Sequence, residues 1–319
     1  MTTFEEAFAM LRAESPDRDV ILVSQAIGRG LHRVLSWRIR NMQSRSKVTL
    51  FLTTYGGDPH AGFRIARCLQ HHYGHVRVVV PSYCKSAGTL IAVSAHELAI
   101  GDLGELGPLD LQFTKPSEVL ERESGLDYMQ GLNVALAHAQ TAFTTFLEVR
   151  RGGMRLPTSQ AGELASKIAC GIVAPLYSQI DPNRIGEMQR AIRIAQEYGT
   201  RLNEVGKNLK DDALERLVAE YSSHSFVIDR KEARTLFKTV DRMSQAEVKL
   251  AESVWDFLGD QGEFVHFCDD PAPTTQPASD DGPEPELTSI DAQPGFAVSE
   301  PDATAVGADT DGSRSGPLS

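Results

Sequence analysis

Much familiar chemistry is missing from this 319-residue sequence. Its four cysteines, Cys68, Cys84, Cys170 and Cys268, stand far apart, so no CxxC pair exists to hold a zinc ribbon or act as a redox dithiol. Neither GxxxxGK[ST] nor GxGxxG occurs, which removes the usual phosphate-cradling loops. Long apolar runs are also lacking. The most apolar window, Leu90 to Ile100, is far shorter than a membrane span and includes His96 and Glu97, so no membrane insertion is expected. The residues up to Asp19 show no basic stretch followed by an apolar one. A secretory signal is therefore not expected, and a cytoplasmic, reducing setting is. His71, His72 and His75 lie close together without a supporting Cys or carboxylate constellation, so neither a metal nor another cofactor is expected.

What is present is acidic overall. A formal net charge of -11 argues against a general nucleic-acid surface. Much of that excess sits at the end of the chain, where Pro271 to Ser319 holds nine acidic residues and one basic residue, Arg314. This stretch is rich in Pro, Asp, Ser, Gly, Thr and Ala, and its few hydrophobic residues follow no period. Ordering it would bury little apolar surface against a large entropy cost. The expected organisation is an N-terminal extension over 1–19, one α/β domain over 20–265 and an acidic disordered tail over 266–319, with a basic protein as the tail's possible partner. Arg29, Arg33, Arg38, Arg40, Arg45 and Lys47 form a local basic patch. A solvated helix face is the plainer reading of it, and contact with RNA or an acidic protein the alternative.

Periodicity then sets the class. Val20 to Ala26, Val48 to Thr54, Val76 to Val80 and Glu97 to Ile100 have the β-branched and apolar content of buried strands. Helical patterns at Leu31 to Met42, Ala61 to His72 and Ser86 to Ala95 separate them. Such alternation predicts a largely parallel sheet covered by helices. Beyond a glycine-rich loop at Gly101 to Gln112, helices are expected at 126–150, 159–170, 184–203, 209–222, 230–237 and 244–257, as helical additions to the α/β core. Functional loops of such a sheet gather at the carboxyl ends of its strands, where both Gly56-Gly57 and Lys85-Ser86 fall.

The segment Pro81 to Ala92 runs from a strand into a small-residue helix, with Ser86 at the entrance. A hydroxyl there faces backbone N–H groups and the positive end of the helix dipole. It is either an ordinary N-cap or an acyl-transfer nucleophile. Gly56-Gly57 either forms a tight β-to-α turn or supplies oxyanion donors, with the Gly57 and Asp58 N–H groups and the Ala87 N–H as candidates.

Three strings taken in order are more specific than any one of them: Thr53-Thr54-Tyr55-Gly56-Gly57, Lys85-Ser86-Ala87-Gly88-Thr89-Leu90-Ile91-Ala92 and Leu106-Gly107-Pro108-Leu109-Asp110-Leu111-Gln112. Over roughly residues 20 to 240 the chain resembles the serine dehydrogenase proteinase family, within the Clp-protease/crotonase-like folds. The resemblance implies that fold, a serine peptidase or hydrolase activity through an acyl-enzyme at Ser86, an oxyanion hole at Gly56-Gly57, a peptide or protein substrate and a homo-oligomer. No lysine site for pyridoxal phosphate is evident, so the "dehydrogenase" of the family name draws no support from these residues.

Serine requires a neighbouring base. In the Clp proteolytic subunit, which this chain resembles, a histidine follows the nucleophile and a later aspartate precedes a Phe-containing strand. With those two roles exchanged the resemblance implies a triad Ser86–His224–Asp110, from Asp110 in the third string and His224 before Phe226. Lys85 is the rival base or a group for a substrate carboxylate, although adjacent residues usually point in different directions. His96 is expected to cap the helix that begins near Ser86, His60 to line the pocket or face solvent, and Cys84 to pack as a small residue. A catalytically inactive oligomeric scaffold or interaction module is the alternative for the whole chain. Chemistry on acyl or CoA esters is a third reading.

Overall fold

The computed structural model describes residues 2–109, 113–114, 122–123, 133–145, 158–177, 182–221, 223 and 225–267. In chain order the elements begin with helix α1 (Phe4–Glu14), strand β1 (Arg18–Ser24), α2 (Arg29–Met42), β2 (Lys47–Thr53), α3 (Pro59–His72) and β3 (His75–Val80). They continue with β4 (Tyr83–Cys84), α4 (Ala87–Val93), β5 (Glu97–Ile100), β6 (Glu105–Leu106) and a small pair, β7 (Phe113–Thr114) and β8 (Arg122–Glu123). Then come a helix α5 over 133–145, α6 (Thr158–Tyr177), α7 (Pro182–Gly206), α8 (Ala213–Glu215) and a π-helical turn, Arg216–Glu220. The described chain closes with α9 (Arg230–Leu236), β9 (Val240–Arg242), α10 (Gln245–Ser253), α11 (Trp255–Leu258) and β10 (Phe264–Phe267).

The central sheet has six strands in the order β10-β1-β2-β3-β5-β9. All neighbours run parallel except β10, which lies antiparallel along β1. The expected α/β class with a mostly parallel sheet and flanking helices is therefore what the chain adopts. Its inner strands β1, β2, β3 and β5 are buried on both faces, and this explains why they read as unbroken apolar runs. Successive residues still divide between two cores. Ile21, Leu50, Val78 and Leu98 pack with Leu35, Ile65, Leu90 and Leu202 on one side. Leu22, Phe51, Val79 and Ala99 pack with Leu11, Leu250 and Leu258 on the other.

Two strands of the central sheet escaped the sequence pattern. Val240–Arg242 has one buried residue followed by two exposed ones, so no apolar run marks it. Phe264–Phe267 pairs with a strand more than two hundred positions earlier in the chain. The helix expected over 209–222 is instead a short α turn that passes into the π-helical turn. Of the helix expected over 126–150, residues 133–145 are described and helical.

His96 corrects another expectation. It does not cap the α4 helix; its Nδ1 accepts the Val76 N–H at 3.1 Å, and its own N–H donates to Val76 O at 2.9 Å. Burial, ahead of the opposing effect of Glu97, holds the imidazole below its ordinary value. An unfolded chain then takes up this proton at higher pH than the folded one, so folding stability is full above the ordinary histidine range and falls as pH drops below it. The urea midpoint is expected to decrease between about pH 7.5 and about pH 5.5, and His96→Asn, which cannot titrate, to flatten that decrease. An unchanged slope in the variant would remove His96 from the account.

Candidate active site

The site forms where β2 and β3 end. Past β2, Thr54 bridges to Cys84 in β4: its N–H donates to Tyr83 O and its carbonyl accepts from Lys85 N–H, both at 2.9 Å. Gly56 and Gly57 follow with φ of 105° and 140°, values that a side chain would strain. The space is closed as well. A Cβ on Gly56 would come within 2.8 Å of Ser86 Cβ, and one on Gly57 within 2.2 Å of Ile27 O. The Gly-Gly loop therefore lies directly against Ser86, and only glycine permits the approach.

Ser86 occupies the N-cap position of α4 with φ 50° and ψ -113°, and its side chain makes no capping hydrogen bond to the helix. This is a left-handed-φ conformation that costs a non-glycine residue on the order of 1–3 kcal/mol. Strain of this kind is a recurring device for presenting a nucleophile on a sharp strand-to-helix turn. The N-cap reading of the serine accounts neither for the backbone angle nor for the absent cap. The side chain is nearly buried, at 5% exposure.

Among the described residues, the N–H groups of Gly57 and Ala87 have no hydrogen-bond acceptor. Asp58 differs, and the expectation of an oxyanion donor there is corrected. Its N–H donates to Ile27 O at 2.8 Å, and its carboxylate accepts the His60 N–H at 2.9 Å. Asp58 is the N-cap of α3, followed by Pro59 at the first helical position. The local sequence Asp-Pro suits that role.

The third string comes to the same place. Glu105 and Leu106 pair with Tyr83 and Cys84, Gly107 N–H donates to Cys84 O, and Leu106 exchanges two backbone hydrogen bonds with Ile228. Thr89 Oγ1 hydrogen-bonds the carbonyls of both Cys84 and Gly107, at 3.0 and 2.8 Å. Lys85 is buried beneath this junction. Its Nζ lies 2.7 Å from Glu105 Oε1, 3.1 Å from Phe226 O and 3.3 Å from Leu106 O. An ammonium has three N–H donors, and here each has an acceptor. Lys85 thus ties the segment that follows Ser225 to the motif core. Neither a free base nor a hand for a substrate carboxylate is compatible with that geometry.

Asp110 and His224 lie outside the described residues. Leu109, next to Asp110, is hydrogen-bonded through its N–H to Leu217 O at 2.8 Å. Cys84 is fully buried, and burial, ahead of the opposing influence of Lys85, pushes its thiol up to about 12. It is a packing residue with little thiolate character. Tyr83 stacks on Tyr55 with ring centroids 4.0 Å apart and hydrogen-bonds Asp260 and the Gln261 N–H. This contact, which the sequence did not signal, brings the chain after α11 to the rim of the site. His60 is exposed at the other rim and shares a 2.8 Å hydrogen bond with Tyr198. Among the described residues no cluster of metal-ligating side chains occurs, and no helix is long and apolar enough to cross a membrane.

Comparison with known proteins follows the same stretch of chain. Residues 32–122 match the model of the ClpP-like SDH-type serine proteinase family. Two uncharacterized proteins of Methanocaldococcus jannaschii are similar: one is 38% identical over 74 residues, 23% of this chain and 26% of the relative. The other is 35% identical over 65 residues, 20% of this chain and 22% of the relative. The chain thus spans about a quarter of the length of these curated relatives. Among solved structures, ClpP1 from Listeria monocytogenes matches at 15% identity and a TM-score of 0.35, covering 70% of this chain and 92% of that one. A serine-to-alanine mutant of the 1510-N membrane-bound stomatin-specific protease matches at 16% identity and a TM-score of 0.28, covering 47% of this chain and 67% of that one.

Proposed function

We propose that this chain, whose residues 32–122 are matched by the ClpP-like SDH-type serine proteinase family, is a serine peptidase that works through an acyl-enzyme on Ser86. One observation carries the reading. Ser86 is held at φ 50°, makes no cap to its own helix, and abuts a Gly-Gly loop that tolerates no side chain.

In this reaction Ser86 Oγ attacks the substrate carbonyl carbon while its proton passes to His224. The negative charge that develops on the carbonyl oxygen is taken by the Gly57 and Ala87 N–H groups, two preorganised donors beside a nearly buried serine. The tetrahedral intermediate collapses as the C–N bond breaks, and His224 returns the proton to the leaving amine. Water, deprotonated by the same histidine, then releases the acyl group and restores the hydroxyl. Asp110 orients the imidazole and stabilises its charged form. Lys85 has a positioning role through Phe226 O and Glu105. A peptide or protein substrate and a homo-oligomer complete the reading, with the acidic tail as the segment that engages a basic partner.

The assignment of the base is tested by steady-state hydrolysis. His224→Ala is expected to lower kcat by about 10²- to 10⁴-fold, and Asp110→Asn to lower it by less while leaving KM nearly unchanged. Full activity in His224→Ala would require another base.

A further inference from the structure

A second feature borders the Gly-Gly loop. A cavity of about 780 Å³ opens between the N-terminal turns of α2 and α3, and its lining includes Arg29, Arg33, Arg64, Asp58, His60 and Tyr198. This is within the size range of small-ligand sites. Arg29, Arg33 and Arg64 are exposed, and among the described residues none of the three has an ion-pair partner. Elsewhere arginines do find carboxylates: Arg18 with Glu97, Arg45 with Asp19, Arg77 with Glu247 and Arg230 with Asp102. Among the described lining residues the single carboxylate is Asp58, which accepts the His60 N–H. His32, also in the lining, is held below its ordinary value by burial first and by the Arg64 charge second.

The place of the cavity matters as much as its charge. Ile27 N–H donates to Gly56 O and Ile27 O accepts from Asp58 N–H, both at 2.8 Å. The start of α2 is thus stitched to the Gly-Gly loop one residue before its N-cap, Gly28. α3 starts from the same loop, and its Gly62 packs so that a Cβ there would lie 3.1 Å from Ala87 O. Both helix N-termini therefore border the cavity, adding their positive ends to the guanidinium field. Its far wall is aromatic: Tyr198 stacks on Phe63 with centroids 4.1 Å apart and hydrogen-bonds His60.

We propose that this cavity is a substrate subsite that receives acidic side chains, so that the chain selects peptides carrying Asp or Glu beside the bond presented to Ser86. The inference rests on the peptidase reading for its placement, but not for its chemistry. Guanidinium forks suit carboxylates bidentately, and three without an ion-pair partner among the described residues, next to the Asp58 that follows the Gly-Gly loop, recruit and orient an anionic segment. A peptide fits the observations better than a nucleic acid, because the cavity adjoins, through Asp58, the Gly-Gly loop that lies against Ser86.

Binding to the full-length Ser86→Ala chain tests this without requiring turnover. Fluorescence anisotropy would compare a fluorescein-labelled peptide with a run of Glu, its Glu→Gln counterpart and an oligothymidylate of equal charge. The Glu peptide is expected to bind about tenfold or more tightly than the Gln peptide, and to weaken strongly between about 50 mM and about 500 mM salt. The triple variant Arg29→Gln/Arg33→Gln/Arg64→Gln is expected to lose that preference, and the corresponding triple Arg→Lys variant, which keeps the charge but not the forks, to retain only part of it. Equal affinity for the Glu and Gln peptides, an unaltered preference in the Gln triple, or tighter binding of the oligothymidylate would overturn the proposal. Selective acidic-peptide binding by a wild-type chain that hydrolyses nothing would leave this subsite standing and sink the peptidase reading alone.

Discussion

Ser86→Ala is expected to reduce peptide hydrolysis by on the order of 10⁴-fold or more, because the nucleophile of a serine peptidase has no substitute. The fold should be unaffected, since alanine fits where the serine side chain is held and no cap to α4 is lost. Ser86→Gly separates strain from chemistry. Glycine adopts φ 50° without the penalty a Cβ brings, so about 1–3 kcal/mol of local strain is relieved, offset in part by the extra freedom of glycine in the unfolded chain, about 0.4–1 kcal/mol. The Gly variant should therefore be as inactive as the Ala variant, yet more stable than the Ala variant by about 1 kcal/mol, or roughly 2–4 °C in Tm for a domain of this size. Thermal melts beside hydrolysis rates check both halves. Retained hydrolysis in either variant, or a Gly variant less stable than the Ala variant, would contradict the strained nucleophile.

The second large effect belongs to Lys85. Lys85→Met removes the ammonium and leaves Glu105 Oε1 and the carbonyls of Leu106 and Phe226 without their shared donor. Removing one partner of a buried ion pair costs about 3–5 kcal/mol. Because Glu105 remains 29% exposed, the lower end applies. Lys85→Met/Glu105→Leu should recover part of the loss, since no carboxylate is then left unpaired. Activity should fall in both variants, because the Phe226 carbonyl loses its tether in each. Denaturant midpoints against hydrolysis rates provide the check. A Lys85→Met chain of wild-type stability but without activity would return Lys85 to the chemistry.

The parts of this structure that were legible in the sequence are those with short-range causes. Ile21 to Val23, Leu50 to Leu52 and Val78 to Val80 declare buried parallel strands because both their faces are covered. Gly56-Gly57 and the entrance at Ser86 are turn chemistry next to apolar runs, and their order along the chain suggested one site. The position of Lys85 was partly legible, since residues next to each other at a turn diverge; its three acceptors were not, because two of them are backbone carbonyls far along the chain. Asp58 was misjudged for a similar reason. A backbone N–H is available or spent according to tertiary pairing, and Ile27 O, which accepts this one, carries no side-chain signal. Arg29 and Arg33 stand four apart on α2 and read as an ordinary solvated face. Only the packing of α3 brings Arg64 to the same cavity. The backbone angle of Ser86 is illegible in principle, because serine has no preference for left-handed φ; the surrounding fold imposes it.

The central claim is that Ser86 is an activated nucleophile. Labelling the full-length chain with a fluorophosphonate probe, followed by peptide mapping, tests it most directly. A single phosphonyl adduct on Ser86 is expected, lost in Ser86→Ala and kept in Cys84→Ala. An adduct on another residue, or none on a chain that hydrolyses peptides, would contradict it.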